Sequence, residues 1–376
     1  MDCRKEEVKR ILTSRLFWVL FAGSVAVNLW IIANYRTQAS MVKAAAELKN
    51  SGIHFVTDEN REEIILVLKR EEPAGAIVGV RSLVEAIPMM EKQLCGADYA
   101  SLFIEEFKLS GKAAQLAGNV GRTLEELLVR DRENGTASSL FVPCTNGYFE
   151  LFTRLLPIAC TVEASLAGIL LMFCCVNAPY DNRLKEIVYT TKAGRKLNRF
   201  QTESALFSIV MFSILLWGIT LFFAEAVFRM GSLWQVKVGS MMMLDSFYPV
   251  ICRFSVSLGV YMLLQVILSV AVTLFFGMTA AISLGKVHKT VPAFFKLAFC
   301  CASAATITEI FPRDSVLFFI LRFQPVDFIK KAGRWFASGA GFLSVRYYET
   351  AFVLCWGTLL LWLLVRHYKH FLTEDI

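Results

Sequence analysis

Tyr180-Asp181-Asn182-Arg183-Leu184-Lys185-Glu186-Ile187-Val188-Tyr189-Thr190-Thr191-Lys192-Ala193-Gly194-Arg195-Lys196 is a polar, mostly basic run set between two long apolar segments, about Leu155–Val176 and Ala205–Phe228. Each flanking segment covers the roughly 20 residues that a helix needs to cross a bilayer's hydrocarbon. The unit therefore reads as a helical hairpin of membrane spans with a basic link, and basic links mark the cytoplasmic side. A link that served topology alone would need only positive charge. This one carries a Glu, then Tyr-Thr-Thr-Lys, then Gly-Arg, a pattern suited to a docking surface.

The rest of the chain extends the same reading. With 56% hydrophobic residues in 376 and a mean hydropathy of +0.52, it is too apolar for a soluble domain. Six spans account for the apolar runs: about Leu16–Asn34, Leu155–Val176, Ala205–Phe228, Ser255–Ser283, Ala293–Phe311 and Thr350–Val365. The first follows basic residues as a signal peptide would, but it is too long for a signal's apolar core and has no small-x-small site behind it, so it reads as a retained span. An even number of spans puts both termini on one side. The basic N-terminus, the Arg183–Arg199 loop, Lys286-Val287-His288-Lys289 and the Arg366–His370 tail all fall on that side, which makes it the cytoplasm of a multi-pass cell-membrane protein. The net charge of +7 is clustered beside the spans, where it faces lipid phosphates, and gives no nucleic-acid partner.

The expected organisation is an amphipathic elbow at 1–15, a first span at 16–34, an extracellular domain at 35–152, a second span at 153–178, a cytoplasmic coupling region at 179–204, and four further spans over 205–376. In the elbow, Val8, Ile11, Leu12 and Arg15 share one helical face, as in a helix lying on a leaflet. The extracellular domain is expected to be mainly helical, α or α+β, with helical spacing in Leu83–Met90 and Leu124–Leu128; Ile64-Ile65-Leu66-Val67-Leu68 fits a short strand or a buried helical turn equally. Cys95 and Cys144 fall in this segment and are either a disulfide or two free thiols. From 312 to 349, apolar runs mixed with Arg322, Lys330, Lys331, Arg334 and Arg346 fit either half-membrane helices, broken at Pro325 and at Gly339 or Gly341, or helices lying at the interface.

No enzyme constellation emerges. The chain has no Gly-x-x-x-x-Gly-Lys-Ser/Thr phosphate loop, no His-Glu-x-x-His, no Gly-x-Ser-x-Gly and no cysteine pattern with metal-ligand spacing. It is expected to be neither an enzyme nor a cofactor or metal binder. Polar residues inside the spans are the stronger signal, since a central charge costs roughly 2.5–3.5 kcal/mol on insertion scales. Glu163 lies nine residues beyond Arg154, about 13 Å along a helix and near mid-bilayer. It either pairs with a neighbouring helix or lines a substrate path. Asn28 and Gln265 are uncharged mid-span groups of the kind that join helices.

Two of these stretches resemble permease subunits of ABC transporters of the ABC-2 type, in the bacterial branch with an extracellular domain between the first two spans. Lys5-Glu6-Glu7-Val8-Lys9-Arg10-Ile11-Leu12-Thr13-Ser14-Arg15-Leu16-Phe17-Trp18 is similar to the family's amphipathic start, and Glu186-Ile187-Val188-Tyr189-Thr190-Thr191-Lys192-Ala193-Gly194-Arg195 to its coupling helix. The layout matches over the full chain. At the base of the third span the family pattern leads one to expect a basic residue, and this chain has Thr202-Glu203-Ser204.

The resemblance implies a permease that exports an amphipathic peptide, antibiotic or lipid as a homo- or heterodimer in the bilayer. ATP and Mg would be held by a separate ABC ATPase subunit. It implies ATPase coupling through Glu186, Tyr189, Thr190, Thr191, Lys192, Gly194 and Arg195, with charges from Glu186, Lys192 and Arg195, an anchor from Tyr189 and a turn at Gly194. A membrane sensor or scaffold whose extracellular domain binds a ligand is the second reading. It predicts a cytoplasmic output domain, for which the short loops leave no room.

Overall fold

The computed structural model describes residues 3–72, 79–82, 84–85, 100–101, 104–105, 108–134, 151–177, 192–238, 251–252, 254–284, 290–310, 321, 323–333, 335–338 and 347–373. Among them, six helices are long and apolar enough to cross a membrane.

The chain begins with α1 (Cys3–Leu12) and breaks at Thr13–Ser14 before the first span, α2 (Arg15–Asn34). The break has a local cause: Ser14 is extended, and its Oγ accepts the Phe17 N–H at 3.2 Å, a helix N-cap. Arg15 therefore opens α2 and does not share the α1 face assigned to it from spacing, whereas Ile11 on that face is buried.

A short 3-10 turn (Arg36–Gln38) leads from α2 into α3 (Ala39–Asn50), followed by α4 (Arg61–Arg70) and α5 (Gly111–Glu133), which contains Leu124–Leu128. The Ile64–Leu68 run is helical. Ile64, Ile65 and Leu68 are buried while Leu66 is 60% exposed, a pattern of helical period, since a strand would turn Leu66 to the same face as Ile64 and Leu68. Glu62 and Glu63 in the first turn of α4 and Lys69 and Arg70 in the last complement the helix dipole. Beside it, Arg81 bridges Glu62 and Glu85, and those two carboxylates raise its pKa further. Most of Leu83–Met90, and both Cys95 and Cys144, lie outside the described residues.

The second span is α6 (Leu156–Val176), entered through a π-helical turn at Leu151–Leu155. The third is α7 (Lys192–Phe228), one continuous helix of 37 residues. It begins thirteen positions before the expected span start at Ala205, so the end of the basic link and the third span are a single rod. The next spans are α8 (Leu258–Leu284) and α9 (Thr290–Ile310), then the short α10 (Pro325–Lys330) and the last span, α11 (Tyr348–Thr373). The two-residue strands β1 (Ile251–Cys252) and β2 (Ala337–Ser338) pair antiparallel, Ile251 opposite Ser338.

α6 is the hub. It packs against α2, α7, α8, α9 and α10, and 61% of its apolar window is buried, against 11% for the peripheral α9. Small residues allow the close approach. The methyls of Ile209 on α7 fill the space where a Cβ on Gly168 of α6 or Gly277 of α8 would sit, at 3.2 and 3.0 Å.

Two cores result. At one end Ile11, Phe17, Val176, Phe212 and Leu284 join α1 to the spans; at the other Val42, Ile64, Leu68, Phe152, Phe228 and Leu233 join α3 and α4 to the opposite ends of α6 and α7.

The described part of the 312–349 stretch is inserted among the spans. Pro325 opens α10 at the first helical position, where its missing N–H costs nothing. Phe328 stacks on Phe352 of α11 at 4.0 Å and on Trp335 at 4.9 Å. The turn after α10 sits over the start of α6: Gly333 has φ +85, and a Cβ there would fall 2.1 Å from the Thr153 carbonyl oxygen. Gly339 and Gly341 lie outside the described residues.

Candidate functional site

The polar side chains of the spans gather into a band through the bundle. Asn28 on α2, 1% exposed, directs its Nδ2 at three groups: Glu163 Oε2 at 3.1 Å and Cys160 Sγ at 3.4 Å on α6, and Thr220 Oγ1 at 3.1 Å on α7. An amide nitrogen has two hydrogens, so one of the three contacts is always weak. The Asn28 Oδ1 is buried with no hydrogen-bond partner among the described residues. One cluster thus ties three spans together while leaving the Asn28 carbonyl oxygen unsatisfied among the described residues, a cost that its other contacts offset.

A second cluster lies on the other face of α6. The Thr161 and Ser269 hydroxyls are 3.0 Å apart, the Trp217 indole N–H donates to Ser269 Oγ at 2.9 Å, and Thr161 Oγ1 reaches the Pro157 carbonyl at 2.7 Å. Each hydroxyl can donate once and accept once along this chain, so α6, α7 and α8 are joined with no donor wasted.

Gln265 does different work. Its Nε2 donates to the Trp335 carbonyl at 3.2 Å and its Oε1 accepts the Gly333 N–H at 3.1 Å, while the Tyr261 hydroxyl lies 2.7 Å from the Gly333 carbonyl. Seven residues into α8, about 10 Å from its end, Gln265 and Tyr261 clamp the turn after α10 inside the bundle. Asp327 on α10 is buried, with Lys330 and Lys331 each 3.9 Å away.

Of the mid-span residues singled out from sequence, Asn28 and Glu163 therefore meet directly, and Gln265 belongs to a separate structure. Glu225, near the far end of α7, accepts the Trp234 indole N–H at 2.7 Å. Glu186, Tyr189, Thr190 and Thr191 lie outside the described residues. The backbone of Lys192, Gly194 and Arg195 forms the first turn of α7, so Gly194 is helical and the turn expected there is absent. At the base of α7, Arg199 pairs with Glu203 at 2.7 Å, and α1 lies alongside, with Val8, Leu12, Ser204 and Phe207 around one shallow groove.

Sequence reasoning missed Cys160, Thr161, Trp217, Thr220 and Ser269. A signal was present: Gln265, Ser269, Thr273 and Gly277 recur every four residues on α8, and Ser213, Trp217 and Thr220 follow helical spacing on α7. Among the described residues, no group of three His, Cys, Asp or Glu side chains is placed to hold a metal ion.

These observations define a multi-pass helical membrane protein. No protein family, curated protein or solved structure matches the chain.

Proposed function

We propose that the chain is a permease subunit of an ATP-driven exporter of the ABC-2 type, moving an amphipathic substrate such as a peptide, antibiotic or lipid. In this reading a separate ABC ATPase, which holds the ATP and Mg, docks on the 186–195 stretch. A second permease copy or sibling completes the pathway across the cell membrane. Both termini are cytoplasmic and residues 35–152 face outward.

One observation carries the reading: Lys192, Gly194 and Arg195 open a 37-residue helix that runs without a break through the third span. At 1.5 Å per residue the rod is about 55 Å long, well beyond a hydrocarbon core of about 30 Å. A displacement at its basic end is transmitted because a continuous helix does not absorb motion as a flexible loop would. It would act on α6 through Ile209 and on the Asn28–Glu163 cluster through Thr220. α1, packed against the base of α7, would move with it.

The test is affinity purification of the tagged chain from its native membrane in mild detergent, with mass spectrometry of what accompanies it. A Walker-motif ATPase in stoichiometric amount supports the proposal; a stable chain alone overturns it. With the complex in hand, Arg195→Glu and Gly194→Pro are expected to abolish ATPase coupling while membrane insertion persists. Normal transport by both would remove the coupling assignment.

A further inference from the structure

Glu163 stands near mid-bilayer, about 13 Å along the helix from Arg154, where an ionised side chain is expensive. It is half-buried, and among the described residues its hydrogen-bond partner is the Asn28 amide and it makes no ion pair. α2 and α7 form this side of the cluster. α2 has no titratable residue after Arg15, and α7 has none between Glu203 and Glu225. On α6 itself the titratable group in the cluster besides Glu163 is the Cys160 thiol, one turn away. α8, α9 and α10 pack against other residues of α6, among them Thr161, Val162 and Ile169.

Three groups crowd the Asn28 Nδ2: Glu163 Oε2 and Thr220 Oγ1, each at 3.1 Å, and Cys160 Sγ at 3.4 Å. Its two hydrogens serve three acceptors, while the hydroxyl and the thiol each bring a hydrogen of their own. This arrangement suits a carboxylate at Glu163. A half-turn of the amide about its last side-chain bond exchanges nitrogen and oxygen, which are nearly equal in size, without moving the helix. The amide carbonyl then faces the cluster with two lone pairs, able to accept the Thr220 O–H and, when Glu163 carries a proton, the Glu163 O–H. Either way the outer end of the amide has no described partner, as Oδ1 has none now. One proton on Glu163 therefore decides which end of Asn28 faces inward.

We infer that Glu163 is a reversible proton-binding site inside the membrane, with Asn28 presenting its N–H to the carboxylate and its carbonyl to the acid. The bond between α2 and α6 survives in both states, because the role of donor passes from the amide to the carboxyl. Each state has its own support: the neutral acid is the form that hydrocarbon tolerates, and the carboxylate has the amide N–H. Thr220 and Cys160 hold the amide between α7 and α6 throughout. The site lies within this one chain and stands or falls apart from the transport reading.

The test uses the full chain in phosphatidylcholine nanodiscs, starting near neutral pH, where surface carboxylates are ionised. Infrared spectra of the unmodified chain and of Glu163→Gln are compared as the pH is raised. The expected result is a carboxylic-acid C=O band that only the unmodified chain shows and that fades reversibly with rising pH. Dicyclohexylcarbodiimide, an apolar reagent that adds only to a protonated carboxyl, reads the same site without any substitution. Peptide mass spectrometry should find its adduct on Glu163 several-fold more often than on Glu225, near the far end of α7. Absence of the acid band, or an adduct no more frequent on Glu163 than on Glu225, overturns the site, and a band that ignores pH overturns its reversibility. Asn28→Leu should keep the band and move it to higher frequency, since the acid O–H loses its acceptor; an unmoved band overturns the pairing with Asn28.

Discussion

Asn28 of the first span donates a side-chain N–H to Glu163 of the second at 3.1 Å, and the same amide nitrogen reaches Thr220 of the third. Three helices distant in sequence therefore share one buried amide. Replacing it with Ala leaves Glu163 and Thr220 without their partner and is expected to cost about 1–3 kcal/mol, the penalty for orphaned buried groups. Glu163→Gln keeps an acceptor opposite the amide and should cost under about 1 kcal/mol. Thermal unfolding in detergent separates the two. Equal loss in both variants would show that keeping an acceptor opposite the amide does not preserve the contact.

Ile209 occupies the space that Gly168 and Gly277 leave open. Gly277→Val should overpack the α7–α8 contact and destabilise by about 1–3 kcal/mol. Adding Ile209→Ala to that variant should recover part of the loss, although the same change alone destabilises. A double-mutant cycle on melting temperature with no coupling between the positions would refute the contact.

Gly333 combines a positive φ with a carbonyl where a Cβ would stand. Backbone cannot yield as a flexible side chain can, so Gly333→Ala should displace the turn after α10. The expected sign is faster proteolysis of 323–338 and a lower melting temperature, with a larger effect than Trp335→Phe. The latter removes the indole bond to the Phe328 carbonyl at 3.0 Å and part of a buried ring but leaves the backbone of the turn in place.

Burial lowers the pKa of Lys49, whose Nζ donates to the Ser232 carbonyl at 2.8 Å between α3 and the end of α7. A lysine with a lowered folded pKa is less willing to be charged in the fold than in the unfolded chain. Its unfavourable contribution is full below the lowered value and disappears as pH rises toward the ordinary lysine range, near 10.4. Between those two values stability should climb with pH, and Lys49→Gln should flatten that part of the profile. Melting curves over the alkaline range just below the ordinary lysine pKa read it directly.

The spans were legible because bilayer thickness imposes a length on any apolar helix, and Leu156–Val176 starts within one residue of where hydropathy places it. The start of α7 was not. Lys192 to Ser204 is too polar for hydrocarbon, yet a helix stabilised by its continuation can project beyond it, and hydropathy is blind to that extension. Asn28 and Glu163 were legible as costly residues, but their pairing depends on how α2 and α6 are rotated about their axes. Gln265 looked equally like helix glue. Its real partners are backbone groups of a turn almost seventy residues away, and nothing local to α8 announces them.

The turn at Gly333 has a consequence for how the protein is made. Thr153, Tyr261 and Gln265 emerge from the ribosome long before the glycine that meets them, so the end of α6 and the upper part of α8 enter the membrane with a vacant seat between them. Only when the last quarter of the chain arrives is that seat filled, and Phe352 on α11 then closes over Phe328. A nascent chain stopped before α10 would display an unfilled notch among its helices, a mark by which membrane quality control could tell unfinished copies from finished ones.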